Sequence, residues 1–191
     1  MKKAILSIAV LSALGFASVA SHAAEGARGM INFNGSINAD SCVAHSSGAG
    51  SAGGSTLTYD MGVVSKTALG SELTPAASTG TSSTLPVAMD LTLECSSGAS
   101  VDLKLTPTVA SGKGIGLAPV AGAATNVQIM LMQAGAPLDF TTGSVTLNAP
   151  LVNGTASIPL TAYYTLQAGK AIADVDAGTA NATAAYLLSY N

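Results

Sequence analysis

From Ala180 to Tyr190 every second residue is apolar: Ala180, Ala182, Ala184, Tyr186, Leu188 and Tyr190. A spacing of two puts these side chains on one face of an extended strand and is incompatible with a helical stripe, which needs a spacing near 3.6. The same alternation recurs upstream. Val87, Met89, Leu91, Leu93 and Cys95 oppose Ala88, Asp90, Thr92 and Glu94, and Val101, Leu103 and Leu105 follow a turn at Ser96-Ser97-Gly98. Val127, Ile129 and Leu131 alternate with Gln128 and Met130; Ala134-Gly135-Ala136-Pro137 breaks that run and Leu138-Asp139-Phe140 resumes it. Val145 and Leu147 form a short apolar pair, and the turn signal Asn153-Gly154 precedes Ile158, Leu160, Ala162 and Tyr164 on one face. No segment carries a helical stripe over three turns, and Leu166 to Val175 has room for a single helical turn. Short strands between turn signals predict an all-β sandwich. The low-complexity stretches Ser46–Ser55, Thr74–Thr84 and Ala118–Thr125 are expected to be surface loops.

Composition narrows the function. Only 9 % of the 191 residues are charged, with 7 Lys and Arg in total, whereas a nucleic-acid binder needs clustered basic residues. A hydrophobic content of 48 % excludes a disordered acidic tail. The chain fits one folded domain, with no composition shift to mark a second.

The amino terminus reads as an export signal. A basic Met1-Lys2-Lys3 precedes the uncharged apolar stretch Ala4 to Ala20, and Ser21-His22-Ala23 offers small residues for cleavage after Ala23. The expected division is a signal peptide over 1–23, an extension over 24–40 and a globular domain over 41–191, with no membrane span in the mature chain. Export places Cys42 and Cys95 in an oxidising compartment, where two cysteines predict one disulfide; two buried thiols are the alternative.

Catalytic and metal-binding constellations are hard to find. His45 is the single histidine after the signal, so a Ser–His–Asp triad or a zinc site has one candidate, and a solvent-exposed loop histidine is the plainer reading. Gly112-Lys113-Gly114-Ile115-Gly116 lacks the strand–helix context of a dinucleotide fingerprint. Asp174 and Asp176 read as loop-solvating carboxylates. No enzyme activity and no cofactor or metal is expected.

The segment before Cys42 also alternates, with Gly29, Ile31, Phe33, Gly35 and Ile37 on one face. It reads as one continuous extended segment; a hairpin at Asn34-Gly35 is the competing reading. A glycine on the apolar face of a strand marks a place of close approach.

These features together resemble the subunits of type 1-like fimbriae, the chaperone–usher pilins of Gram-negative bacteria, of major pilin type. Gly29-Met30-Ile31-Asn32-Phe33-Asn34-Gly35-Ser36-Ile37 ahead of Cys42 resembles the family's N-terminal arm, and Leu91-Thr92-Leu93-Glu94-Cys95 its second-cysteine strand. Asn153-Gly154 with Ile158-Pro159-Leu160-Thr161-Ala162-Tyr163-Tyr164 is similar to its Asn-Gly turn and Ile-Pro strand. Gly178 fourteenth from the end and a penultimate Tyr190 are the most specific match. Leu160 and Tyr163 depart from the family's usual aromatic and arginine.

The resemblance implies an incomplete immunoglobulin-like Greek-key sandwich that lacks its last strand. It implies a donor face of Gly29, Ile31, Phe33, Gly35 and Ile37 that completes a neighbouring subunit by strand addition. It also implies an acceptor and chaperone-contact strand of Gly178, Ala180, Ala182, Ala184, Tyr186, Leu188 and Tyr190. The implied partners are neighbouring fimbrial subunits, a periplasmic pilus chaperone and an outer-membrane usher. The implied place is a cell-surface fimbrium involved in adhesion. A single-domain secreted carbohydrate-binding sandwich is the alternative function; it would want exposed aromatics, and the chain has 5 Tyr, 3 Phe and no Trp.

Overall fold

The computed structural model describes Met30 and residues 42–48, 50–53, 56–76 and 86–190. The chain divides into units Met1–Asn38 and Ala39–Asn191, and the fold below is that of the second. Twelve strands among the described residues run β1 (Cys42–Gly48), β2 (Gly50–Gly53), β3 (Thr56–Tyr59), β4 (Val87–Cys95), β5 (Ser100–Pro107), β6 (Ala110–Ser111), β7 (Gly114–Gly116), β8 (Val127–Gln133), β9 (Ala136–Pro137), β10 (Val145–Pro150), β11 (Thr155–Leu166) and β12 (Ala184–Tyr190). Among the described residues the only helical pieces are two 3-10 turns, Lys66–Ala68 and Ile172–Asp174; the second falls in the stretch read as one helical turn.

The larger sheet has the order β1-β4-β11-β8-β7-β6, with β9 beside β8, and the smaller has the order β10-β5-β12. Taken in chain order, β1, β4, β5, β8, β11 and β12 are the first six strands of an immunoglobulin-type sandwich. In such a sandwich strands one, two, five and four form one sheet, and three, six and seven form the other. The described strands fill six of the seven places, and β12 holds the sixth. The fold is the expected all-β, incomplete immunoglobulin-like sandwich.

The core lies between the sheets. Leu91 and Leu93 of β4, Ile158, Leu160 and Ala162 of β11, and Ile129 and Leu131 of β8 meet Val101, Leu103 and Leu105 of β5 and Leu147 and Ala149 of β10. The alternation along β4, β5 and β11 is the inward–outward alternation of the pleat. The Asn153-Gly154 turn takes positive φ at both residues (52° and 79°), as a two-residue hairpin requires. Val152 and Thr155 close it with reciprocal backbone hydrogen bonds of 2.8 and 3.0 Å.

Four sequence expectations need correction. Gln128 and Met130, expected to face outward, are buried completely, so β8 is covered on both faces. A side chain at Gly114 would meet Met130 Sδ at 2.9 Å and Gln128 Cδ at 3.0 Å, so these two side chains lean over β7 where glycine leaves room. Glu72 reaches the same corner and accepts from the Lys113 N–H. The expected loop Ser46–Ser55 instead ends β1 and forms β2 of a hairpin with β3. Backbone pairing carries on from Cys42↔Cys95 to Gly48↔Met89 although Gly and Ser display no side-chain alternation. His45 accordingly sits in β1 rather than in a loop, and it is exposed. The break at Ala134-Gly135 is a hairpin turn that returns Ala136-Pro137 to β8 as β9; Leu138 and Phe140 follow outside any strand yet buried. Finally, the last strand begins at Ala184, not Ala180.

Candidate functional site: the C-terminal strand and its root

β12 pairs with β5 in an antiparallel register from Ala184↔Pro107 to Tyr190↔Val101. Directly opposed residues of such a pair point to the same side. Tyr186, Leu188 and Tyr190 therefore share a face with Leu105, Leu103 and Val101, the inner face. The two strands are buried unequally. Val101 and Leu103 are 0 and 1 % exposed, while Tyr186 and Leu188 are only half-buried and Tyr190 is 45 % exposed. Ala180, Ala182, Tyr186 and Leu188 all pack against the core. Among the described residues β12 ends its sheet: β5 flanks one side and no described strand flanks the other.

The chain leading into β12 is held by hydrogen bonds to the segment 108–126. Thr179 N–H donates to Gly122 O (2.9 Å) and Thr179 O accepts from Ala124 N–H (2.8 Å). Asn181 O accepts from Ala118 N–H (2.7 Å), and Thr183 O from Thr108 N–H (3.0 Å). The Thr183 hydroxyl donates to that of Thr108 at 2.9 Å. The Tyr164 hydroxyl, carried on β11, donates to Ala180 O at 2.8 Å. Burial of Tyr164, with Asp60 adding to it, pushes its phenol above the ordinary value, so the donor stays protonated. Asp176 serves the same segment by accepting from the Thr125 hydroxyl (3.1 Å), while Asp174 caps its own 3-10 turn by accepting from Ala171 N–H (2.9 Å).

Gly178 belongs to this root. A Cβ there would run into Gly122 O and lie 2.7 Å from both Ala123 C and Ala124 N, all backbone atoms that cannot swing aside. Glycine is required by the close approach of two chain segments. Sequence reasoning grouped Gly178 with the contact strand; the structure places it in the clamp ahead of β12. Tyr164, Thr108 and Thr183 were not singled out by sequence as holding this root. A tyrosine on an apolar face, whose hydroxyl needs a partner, was the available signal for the first.

At the other end of the domain the expected disulfide is present, with Cys42 and Cys95 directly opposed in the β1–β4 register. Cys95 N–H donates to Gly154 O at 2.7 Å, tying the end of β4 to the Asn-Gly hairpin. The exposed His45 Nε2 lies 3.6 Å from Glu94 Oε2 on the outer face. The expected donor face, Gly29, Ile31, Phe33, Gly35 and Ile37, lies outside the described residues.

No curated protein matches the sequence. Among solved structures, the fold is similar to a chaperone–usher pilus subunit from a study of rod uncoiling, with a TM-score of 0.55 and 19 % identity, covering 87 % of this chain and 97 % of that one. It is also similar to the P pilus rod subunit PapA, with a TM-score of 0.53 and 22 % identity, covering 79 % of this chain and 99 % of that one. A weaker likeness, TM-score 0.46 at 20 % identity, links 55 % of this chain to the CupB6 tip adhesin of Pseudomonas aeruginosa, of whose length the match spans 30 %. The family model for fimbrial proteins matches residues 31–191, most of the sequence and all of the sandwich, and the chain belongs to that fimbrial protein family.

Proposed function

We propose that this chain is a structural subunit of a chaperone–usher fimbria that polymerises by donor-strand complementation. In this reading the segment 24–40, released by cleavage after Ala23, supplies Gly29, Ile31, Phe33, Gly35 and Ile37 to the next subunit. Ala180, Ala182, Ala184, Tyr186, Leu188 and Tyr190 receive the corresponding face of the subunit behind. One observation carries the proposal: β12 occupies the sixth place of a seven-place sandwich, at the end of its sheet among the described strands, with an inner face less covered than that of its neighbour β5.

A strand added beside β12 gains backbone hydrogen bonds along its length and buries apolar side chains between the sheets. Burial of Ile31, Phe33 and Ile37 is worth about 1.5–3 kcal/mol each. Because each subunit receives at β12 and donates from its N-terminal arm, the contact is heterologous and does not close, which builds a filament. Before assembly the same edge is an aggregation hazard, which a periplasmic chaperone would cover and an outer-membrane usher would relieve on the way to the cell surface.

Deletion of 24–36 tests the assignment. The truncated subunit should fold with its chaperone and cap growing fibres without extending them. Long fibres built solely from the truncated subunit would contradict a donor role for this segment.

A further inference from the structure

We propose that the Cys42–Cys95 disulfide is a tension bypass, carrying force that enters through the N-terminal arm directly to the strand that supports β12. The inference rests on the donor-strand reading, in which the arm is pulled by one neighbour and β12 by another.

In sequence the arm 24–40 leads through Ser41 into Cys42, the first residue of β1, and among the described strands β1 is the outermost of its sheet. Tension on the end of an edge strand strains its ladder bonds one pair after another, starting at Cys42↔Cys95. The disulfide removes that route, because it links Cys42 covalently to the last residue of β4. From Cys95 only Ser96, Ser97, Gly98 and Ala99 intervene before Ser100 opens β5. β5 in turn carries β12 on a ladder that runs from Val101↔Tyr190 to Pro107↔Ala184. The path from arm to acceptor strand is thus one disulfide, one short turn and one ladder, and it loads neither the β1–β4 nor the β4–β11 pairing.

The corner is braced where the path bends. Cys95 N–H donates to Gly154 O at 2.7 Å and Leu151 N–H to Ala99 O at 2.9 Å, so both ends of the turn are tied to the β10–β11 hairpin. Loss of the disulfide would send the same force through β1. A bond of purely thermodynamic value would stabilise the domain equally wherever the domain was pulled.

Force spectroscopy at constant tension separates these roles. A peptide of sequence 24–40, seated at β12, carries one handle. The second handle is placed on the arm of the oxidised subunit, on the arm of Cys42→Ser/Cys95→Ser, or at residue 97 of Cys42→Ser/Cys95→Ser/Ser97→Cys. The lifetime before first extension should fall about tenfold or more in the second arrangement and return to within about twofold of the first in the third. Equal short lifetimes in the second and third would overturn the bypass and leave a general stabilising bond; equal long lifetimes in all three would overturn it as well. Departure of the peptide ahead of any subunit extension, in all three, would instead overturn the donor-strand reading. Should the cysteine-free subunits fail to fold, subunits assembled oxidised, with handles on the arm or thioether-linked at Ser97→Cys, are reduced in the trap. The drop is then expected for the arm handle alone, and a drop for both handles overturns the bypass.

Discussion

β5 and β12 are neighbours in one sheet, paired residue for residue, yet they live in different environments. On β5 the inner residues Val101 and Leu103 are sealed; on β12 their cross-strand partners Tyr190 and Leu188 are not. Leu103 and Leu188 are the same residue type, so hydrophobicity alone does not set the difference between them. Position does: β5 has β10 on one side and β12 on the other, whereas β12 ends the sheet among the described strands. Its root compensates, fixed by the hydrogen bonds of Thr179, Ala180, Asn181 and Thr183 and by the close approach at Gly178. A strand held firmly at its base with a half-covered face is suited to receiving a partner with little rearrangement, because its ordering entropy is already spent before the partner arrives.

The comparison is sharpened first by truncating its two sides. Leu103→Ala, in the sealed core, should cost about 2–5 kcal/mol in chemical denaturation of the subunit. Leu188→Ala, directly opposite, should cost only about 1 kcal/mol in the same measurement, since part of its surface is already in water. With a peptide of residues 24–40 bound, the Leu188 penalty should rise toward the Leu103 value. Equal penalties without the peptide would erase the distinction between the strands.

The root is tested next. Gly178→Ala forces a methyl group against the backbone of 122–124 and should cost about 1–3 kcal/mol, as overpacking does. It should also weaken peptide binding at β12. Gly169→Ala, at a positive φ of 72° but with open space around it, serves as the control. It should cost about 1 kcal/mol and leave peptide binding unchanged. A smaller effect is expected from Tyr164→Phe, which removes the bond to Ala180 O and should cost about 1 kcal/mol, the net worth of one hydrogen bond. Because the folded phenol titrates above its unfolded value, its contribution is intact below the unfolded value and is lost as pH rises through the folded one. The wild-type and Phe subunits should therefore converge in stability under alkaline conditions, read by urea melts across that range.

Much of this was legible in the sequence because β4, β5 and β11 bury one face each, and a half-buried strand writes its geometry as alternation. The disulfide was legible from cysteine count and compartment. β8 was misread because the polar Gln128 signalled an outward face, whereas both faces are covered and Gln128 and Met130 are buried. β2 and the end of β1 were missed because Gly and Ser pair through the backbone alone. The role of Gly178 was hidden for a different reason: a close approach between segments some fifty residues apart leaves no local pattern, only a glycine.

The central claim is that β12 receives a strand along the side away from β5. Hydrogen exchange of the subunit with and without a peptide of residues 24–40 tests it directly. The account predicts that the peptide slows exchange in β12 at alternate amides, those directed away from β5, while the already protected amides of β5 and β11 change little. Unchanged exchange throughout β12, with protection appearing elsewhere or nowhere, would contradict it.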